Sequence, residues 1–451
     1  MTLPHHPAAG AFDAVPPLDG ELCRDEAALD AASTDFGGLV HRRPAAVLKP
    51  GSAEDVAAMV RYCRERGLHV AARGQGHSTH GQAQVPSGLV IDLSTLNSIE
   101  IRDDTAVVQS GAVWSALVRA TLAVGLTPPV FTDYLELSIG GTLSAGGLGG
   151  QIGRYGTQAD NVLELQVVTG EGELTTCSPT VRPDLFRAVL GGLGQCGLIT
   201  RATIPLVRAP RSVRLYTLTC PSVEALTAQQ AELIGEGRFD YLVGQVQSPS
   251  GEGWTYVIEA AAYDATRADD ARLTGDLEHL AVQAQDLPYF EFLDRIAPLV
   301  ETLKSIGEWQ RPHPWYDSLL PASSVDAVVT TTLASLKSRS LGASAVILLY
   351  PVLTEKCATP LPVMPDEELA YLFSLLKTAS PGADSPEEMV AANRTQYDAT
   401  VHAGGHWYPI GSVPLTRADW VRHFGGFWGE FMAARRRYDP DGILTPGQRI
   451  F

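Results

Sequence analysis

The chain has 451 residues, above the ~250–300 at which single hydrophobic cores stop growing, so two domains are expected. Hydrophobic residues make up 45% and charged residues 19%, which excludes a disordered chain, and the net charge of −17 argues against nucleic acid or anionic membrane as partners. No apolar run approaches the ~20 residues that would span a bilayer.

The opening stretch MTLPHHPAAGAFDAVPP lacks the basic and apolar regions of a secretory leader. Cys23, Cys63, Cys177, Cys196, Cys220 and Cys357 lie far apart with no C-x-x-C pair, against a zinc site or a disulfide framework. A reducing cytoplasm is the expected location. Five lysines against 29 arginines suggest a GC-rich bacterial genome and say nothing of activity.

The first clear element starts at Ser52. In SAEDVAAMVRYCRERG, Val56, Met59, Val60 and Cys63 recur at helical spacing on one face. Ser52 and Asp55 have the spacing of a capping box, and Gly67 suits a C′ stop. LHVAA (68–72) reads as a strand and GLVIDLS (88–94) as another, with RGQGHSTHGQA (73–83) between them. That order excludes two nucleotide motifs. A dinucleotide-binding G-x-G-x-x-G must open a helix, and Gly74 and Gly76 have no third glycine at the right spacing. The Gly-Lys-Ser/Thr of a P-loop is missing too.

Two more glycine stretches follow, SIGGTLSAGGLGGQIGRYG (138–156) and LGGLGQCGLIT (190–200). Without Cβ, backbone N–H groups can converge on an anionic ligand, although glycine also serves tight turns and close strand packing. Three such stretches in one half of the chain favour a ligand cradle. NVLELQVVTGEGEL (161–174) reads as a β-hairpin.

Beyond residue 207 glycine thins out and six of the seven tryptophans appear. Helix-like SVEALTAQQAELI alternates with strand-like GWTYVIEAAAYD and SAVILLYPV, as in an α+β domain. PLPVMPDEE (360–368) and TASPGADSPEE (378–388) read as Pro-rich loops.

His77, directly after the Gly74–Gly76 pair, admits three readings. It could be a turn histidine bonded to a neighbour. It could join His80 in a metal site, although no carboxylate or cysteine accompanies the pair. Or its ring nitrogen could bond the 8α-methyl carbon of a flavin, with Ser78 donating to the pyrophosphate or the flavin edge.

The loop ARGQGHSTHGQA resembles the flavin-attachment loop of cytokinin dehydrogenases, within the vanillyl-alcohol-oxidase (PCMH-type) FAD superfamily. FTDYLELSIGGTLSAGGLGGQIGRYGTQADNV (131–162), DLFRAVLGGLGQCGLITRA (184–202), RPHPWYDSLLP (311–321), DWVRHFG (419–425) and YDPDGILTPGQRIF (438–451) are similar to further blocks of that family, in the same order. The resemblance implies a two-domain α+β fold. A discontinuous FAD-binding domain would comprise residues 1–206 and 407–451, and a substrate domain, an antiparallel sheet covered by helices, residues 207–406.

It implies FAD bound covalently through His77. The cofactor contacts would be Gly74, Gln75, Gly76, His77, Ser78 and Gln82 from the loop, with Asp133, Ser138, Ser144, Leu148, Ile199 and Gln448 from later blocks. Asp133 would be the catalytic base, taking the proton of a side-chain amine as hydride leaves the adjacent carbon for flavin N5. Glu259 would hold the purine edge.

The implied reaction oxidises the C–N bond in the side chain of an N6-isoprenoid adenine to an imine, with oxygen or a quinone as electron acceptor. A related flavin oxidase acting on another amine or an alcohol is the alternative; a flavin-binding protein without turnover is disfavoured by Asp133. His313, Arg422 and His423 are read as packing and ion-pair residues. Two departures touch the substrate rim. YPVLTEKCATPLPVMPDEE lacks the tryptophan that plant members carry there, and HWYPIGSVP (406–414) replaces their tyrosine–leucine pair in an ambiguous register.

Overall fold

A computed structural model describes residues 10–247 and 253–451. Residues 1–9, part of the stretch read for a leader and of the first domain segment, lie outside the described residues.

The helix Ala53–Glu65 buries Val56, Met59, Val60 and Cys63 completely, each large apolar side chain contributing roughly 1.5–3 kcal/mol. Gly67 takes φ +61° just past its end, the left-handed stop that glycine adopts without strain. The capping box is only half formed. Ser52 Oγ accepts from the Asp55 N–H, but the Asp55 carboxylate accepts from the amides of Asp19, Gly20 and Gly51 at 2.8–2.9 Å. Three converging amides satisfy a carboxylate better than the single N-cap amide that the local pattern offers.

The strands Ala46–Lys49, Val70–Arg73 and Leu89–Asp92 form a parallel core, edged by the antiparallel strand Glu21–Cys23. The glycine loop makes the crossover between two of these strands and opens no helix, as the element order predicts. The C-terminal segment returns here: Val70 donates to Ile443 O and Thr445 donates to Val70 O. Beside this layer lies an antiparallel sheet in the order Ile99–Arg102, Thr105–Gln109, Leu198–Pro205, Glu164–Val168, Leu174–Cys177. Its last two strands are the expected hairpin.

The second half builds an eight-stranded antiparallel sheet whose centre runs Thr255–Tyr263, Tyr241–Gln247, Val346–Leu353, Leu369–Leu376, Tyr316–Pro321. Period-two alternation divides its faces. Tyr371 donates to Thr227 O in the covering helix Val223–Glu236, whereas Leu372, Ser374 and Leu376 face a large internal chamber. TASPGADSPEE is a loop only in part. Pro386–His402 is helical from its third-last residue onward, because Ser385 and Glu388 form a reciprocal capping box with Pro386 at the first position.

Candidate functional site

The free face of the eight-stranded sheet and the three glycine stretches enclose a cavity of about 510 Å³, within the range of small-molecule sites. All thirteen residues singled out from sequence line it: Gly74, Gln75, Gly76, His77, Ser78, Gln82, Asp133, Ser138, Ser144, Leu148, Ile199, Glu259 and Gln448.

Close backbone approach explains the glycines. A Cβ on Gly74 would come within 1.9 Å of Ser138 Oγ, and one on Gly447 within 2.3 Å of the Gly81 carbonyl. The second contact seats the C-terminal turn, with Gln448, directly on the His77 loop, where Arg42 bonds the carbonyls of both Gly81 and Gly447. Gln82 braces the loop from within, accepting from His80 N at 2.7 Å and donating to Gly411 O at 3.2 Å. Ser78 lines the chamber, but its hydroxyl donates to the buried carboxylate of Asp35 at 3.1 Å. In this arrangement its oxygen is an acceptor toward the chamber, not the donor that the sequence suggested.

His77 sits in an aromatic box. Phe36 is sandwiched between the rings of His77 and His313, each 4.0 Å away, while Tyr134, Trp309 and Trp315 close the sides at 5.3–5.8 Å from His77. Burial, assisted by His313, pushes the His77 pKa down to about 3. The ring is therefore a neutral imidazole at physiological pH, with a lone pair available for bonding to carbon. His313 is itself held by Trp309 O and Thr378, in keeping with a packing role.

A second cluster holds the two predicted carboxylates. Tyr241 donates to Asp133 Oδ1 at 2.7 Å, and Arg295 Nη2 reaches Asp133 Oδ1 at 3.2 Å, Glu259 Oε2 at 3.4 Å and the Tyr241 hydroxyl. Burial opposes the Arg295 charge, but Tyr241, Asp133 and Glu259 together raise its pKa above the ordinary value. Tyr241 is pushed well above the usual phenol range by burial, so it is a neutral donor and the two carboxylates supply the counter-charge. Both contacts to Asp133 fall on Oδ1, which leaves Oδ2 without a protein partner among the described residues and able to accept a proton.

Sequence reading passed over Arg295, Tyr241, Phe36, Trp309 and Asp317. Arg295 and Tyr241 carry no spacing signal. Trp309 and Asp317 flank or belong to RPHPWYDSLLP, a block already singled out, so its aromatic density was the available clue. Of the stretch lacking a tryptophan, Tyr350 in the strand lines the chamber and the loop that follows, 354–368, does not. Its Leu361 and Pro362 instead pack against Gly191 and Gly146. Tyr408, Pro409 and Ile410 are the residues of HWYPIGSVP that line the chamber. Arg422 pairs with Asp419 at 3.2 Å, and His423 packs against Trp420 and Phe424, as expected of structural residues.

Residues 44–178 match the family model described as an FAD binding domain, and residues 242–451 the model described as cytokinin dehydrogenase, FAD and cytokinin binding. An uncharacterized oxidoreductase from the fasciation locus of Rhodococcoides fascians is 38% identical, covering 96% of this chain and 99% of its own. Cytokinin dehydrogenase 10 of Oryza sativa subsp. japonica is 37% identical over 95% of this chain and 88% of its own. Cytokinin dehydrogenase 2 of Arabidopsis thaliana is 34% identical over 96% and 94%. Among solved structures, 6-hydroxy-D-nicotine oxidase from Arthrobacter nicotinovorans shares the fold with a TM-score of 0.74 at 23% identity, over 95% of this chain and 96% of that one.

Proposed function

Since the chain belongs to the cytokinin dehydrogenase family of FAD-dependent oxidoreductases, we propose that it oxidises the C–N bond in the side chain of N6-isoprenoid adenines. FAD is the cofactor, and the chamber fits it: glycine cradles that a Cβ would fill, and the buried Ser110 hydroxyl on the wall with no protein partner. Bound FAD supplies the two-electron oxidant.

The protein residues do the rest. Asp133 takes the N–H proton of the substrate on Oδ2 as the adjacent carbon gives up its hydride, leaving an imine that water cleaves to adenine and an aldehyde. Glu259, on the same wall, accepts from a purine N–H. Arg295 contacts both carboxylates, and the neutral Tyr241 orients Asp133. A small-molecule acceptor, oxygen or a quinone-type compound, completes the cycle. The observation that carries the reading is the pair of carboxylates tied by one guanidinium inside the chamber that also holds His77.

A panel under anaerobic conditions tests the substrate. Isopentenyladenine should bleach the flavin, and unrelated amines and alcohols should not. Glu259→Gln should weaken isopentenyladenine binding by about 1–3 kcal/mol, for one partner of a charged hydrogen bond. A panel in which another amine or an alcohol reduces the flavin faster, with Glu259→Gln neutral, would select the second reading, a related oxidase. The altered rim, where Leu361 and Pro362 dock on glycines outside the chamber, favours testing it.

Attachment of FAD to His77 is supported by the neutral imidazole in its aromatic box. Acid-precipitated protein is expected to stay yellow and to yield a flavin-bearing peptide containing His77. A colourless pellet with free FAD in solution would refute the covalent bond and leave FAD binding untouched.

The proposed FAD domain is discontinuous, 1–206 joined by 407–451, supported by the contacts of residues 443–447 with Val70 and the His77 loop. Deleting residues 442–451 should abolish flavin retention. A soluble truncation that remains yellow contradicts this arrangement.

A further inference from the structure

We propose that Asp317 is a carboxylic acid, not a carboxylate, in the FAD-loaded protein, and that it donates a hydrogen bond to an acceptor atom of the flavin ring system. This rests on FAD occupying the chamber, not on the identity of the substrate.

Asp317 lines the chamber from the strand Tyr316–Pro321 and is 2% exposed. It joins no ion pair among the described residues; its Oδ2 is sealed against the equally unpartnered Ser374 hydroxyl, and Oδ1, which has no partner among the described residues, is the oxygen open to the chamber. An ionised carboxylate so placed would be desolvated without compensation. Protonation removes the charge and supplies an O–H that needs an acceptor. Ser374 Oγ is the protein partner at hand for Oδ2, whereas an O–H on Oδ1 finds its acceptor among the contents of the chamber.

Its neighbours place it on the cofactor side. An added Cβ on Gly411 would lie 3.2 Å from Asp317 Oδ2, and the Gly411 carbonyl accepts from Gln82 of the His77 loop. The Asp317 carbonyl accepts from Tyr408 N, and the Tyr408 hydroxyl accepts from Gly147 N in the second glycine stretch. Asp317 is thus linked, through Gly411 and Tyr408, to two of the three glycine stretches.

The facing groups leave the acid form favoured. From the strand Leu369–Leu376 comes Ser374, its ladder partner; from Val346–Leu353 comes Tyr350; from the segment after His406–Trp407 comes Tyr408. Both phenols are pushed above their usual range by burial and stay neutral. The helix Pro386–His402 contributes Asn393, which engages the Lys377 ammonium at 2.8 Å. Burial raises the Asp317 pKa to about 7, and only the Ser374 hydroxyl opposes it. Asp133 and Glu259 differ, since both are paired with Arg295.

The test is a pH titration of the flavin absorbance of the substrate-free holoprotein between about pH 5.5 and 9. A one-proton step with its midpoint at or above about 7 is expected in the parent and should vanish in Asp317→Asn, which keeps a neutral donor. Ser374→Ala, which removes the opposing hydroxyl, should move the midpoint upward and decides the matter if Asp317→Asn fails to load FAD. A flat parental titration, a step unchanged in Asp317→Asn, or an unmoved midpoint in Ser374→Ala overturns the proposal. A step seen only after adenine is added assigns the donor to the substrate instead and overturns the flavin assignment.

Discussion

Replacing Asp133 with asparagine is expected to slow flavin reduction by isopentenyladenine ~10²–10⁴-fold, the usual contribution of a positioned general base. That is about 3–5 kcal/mol of barrier. The amide keeps the shape of the side chain and can still accept from Tyr241, but it has no oxygen that takes a proton. Because Asp133 makes no hydrogen bond to the His77 loop among the described residues, FAD incorporation should be unchanged. The measurement is single-turnover absorbance decay, with the flavin content of both proteins determined first. Reduction at the parental rate would remove Asp133 from the role of base, whatever the substrate.

Arg295→Met should have an effect of similar size by a different route. The methionine retains much of the apolar stem but leaves Asp133 and Glu259 without the cation that both now contact. Removing one partner of a buried charge cluster typically costs roughly 3–5 kcal/mol, because the remaining charge has no compensation. Without the cation the charged forms in the cluster are less favoured, so proton uptake shifts toward higher pH. The sign follows from that. Activity lost at pH 7 should be regained as pH rises, and the acid limb of the rate profile should move to higher pH relative to the parent. The analogous profile for Asp133→Asn should show no such recovery. An Arg295→Met protein with an unshifted acid limb would mean that the guanidinium is only a packing element of the chamber wall.

Much of the cofactor side was legible in the chain itself, because its signals are local. Helical spacing placed Val56, Met59, Val60 and Cys63 on a buried face, and the order strand, glycine loop, strand kept His77 off a helix start. Runs of glycine announce close backbone approach wherever they fall, as the 1.9 Å clash of a Gly74 Cβ with Ser138 bears out.

The partners of the carboxylates were not legible, since they meet through pairing of distant strands. Tyr241 lies 108 residues from Asp133 and Arg295 lies 162 residues from it. Nothing in DYLVG or FLDRI sets either residue apart. Asp317 shows the same limit from within a block that was noticed. Whether an aspartate after Trp315 meets water, a cation or a dry wall depends on strand register, which puts it opposite Ser374 with its side chain toward the chamber. Asp55 shows it once more: the local pattern offered one amide to cap, and the fold delivered three from elsewhere. Local sequence determined where backbone could bend and which faces were apolar. Only the tertiary structure decided which charges share a site, because electrostatic partnership depends on distance in space and on the water excluded between the groups.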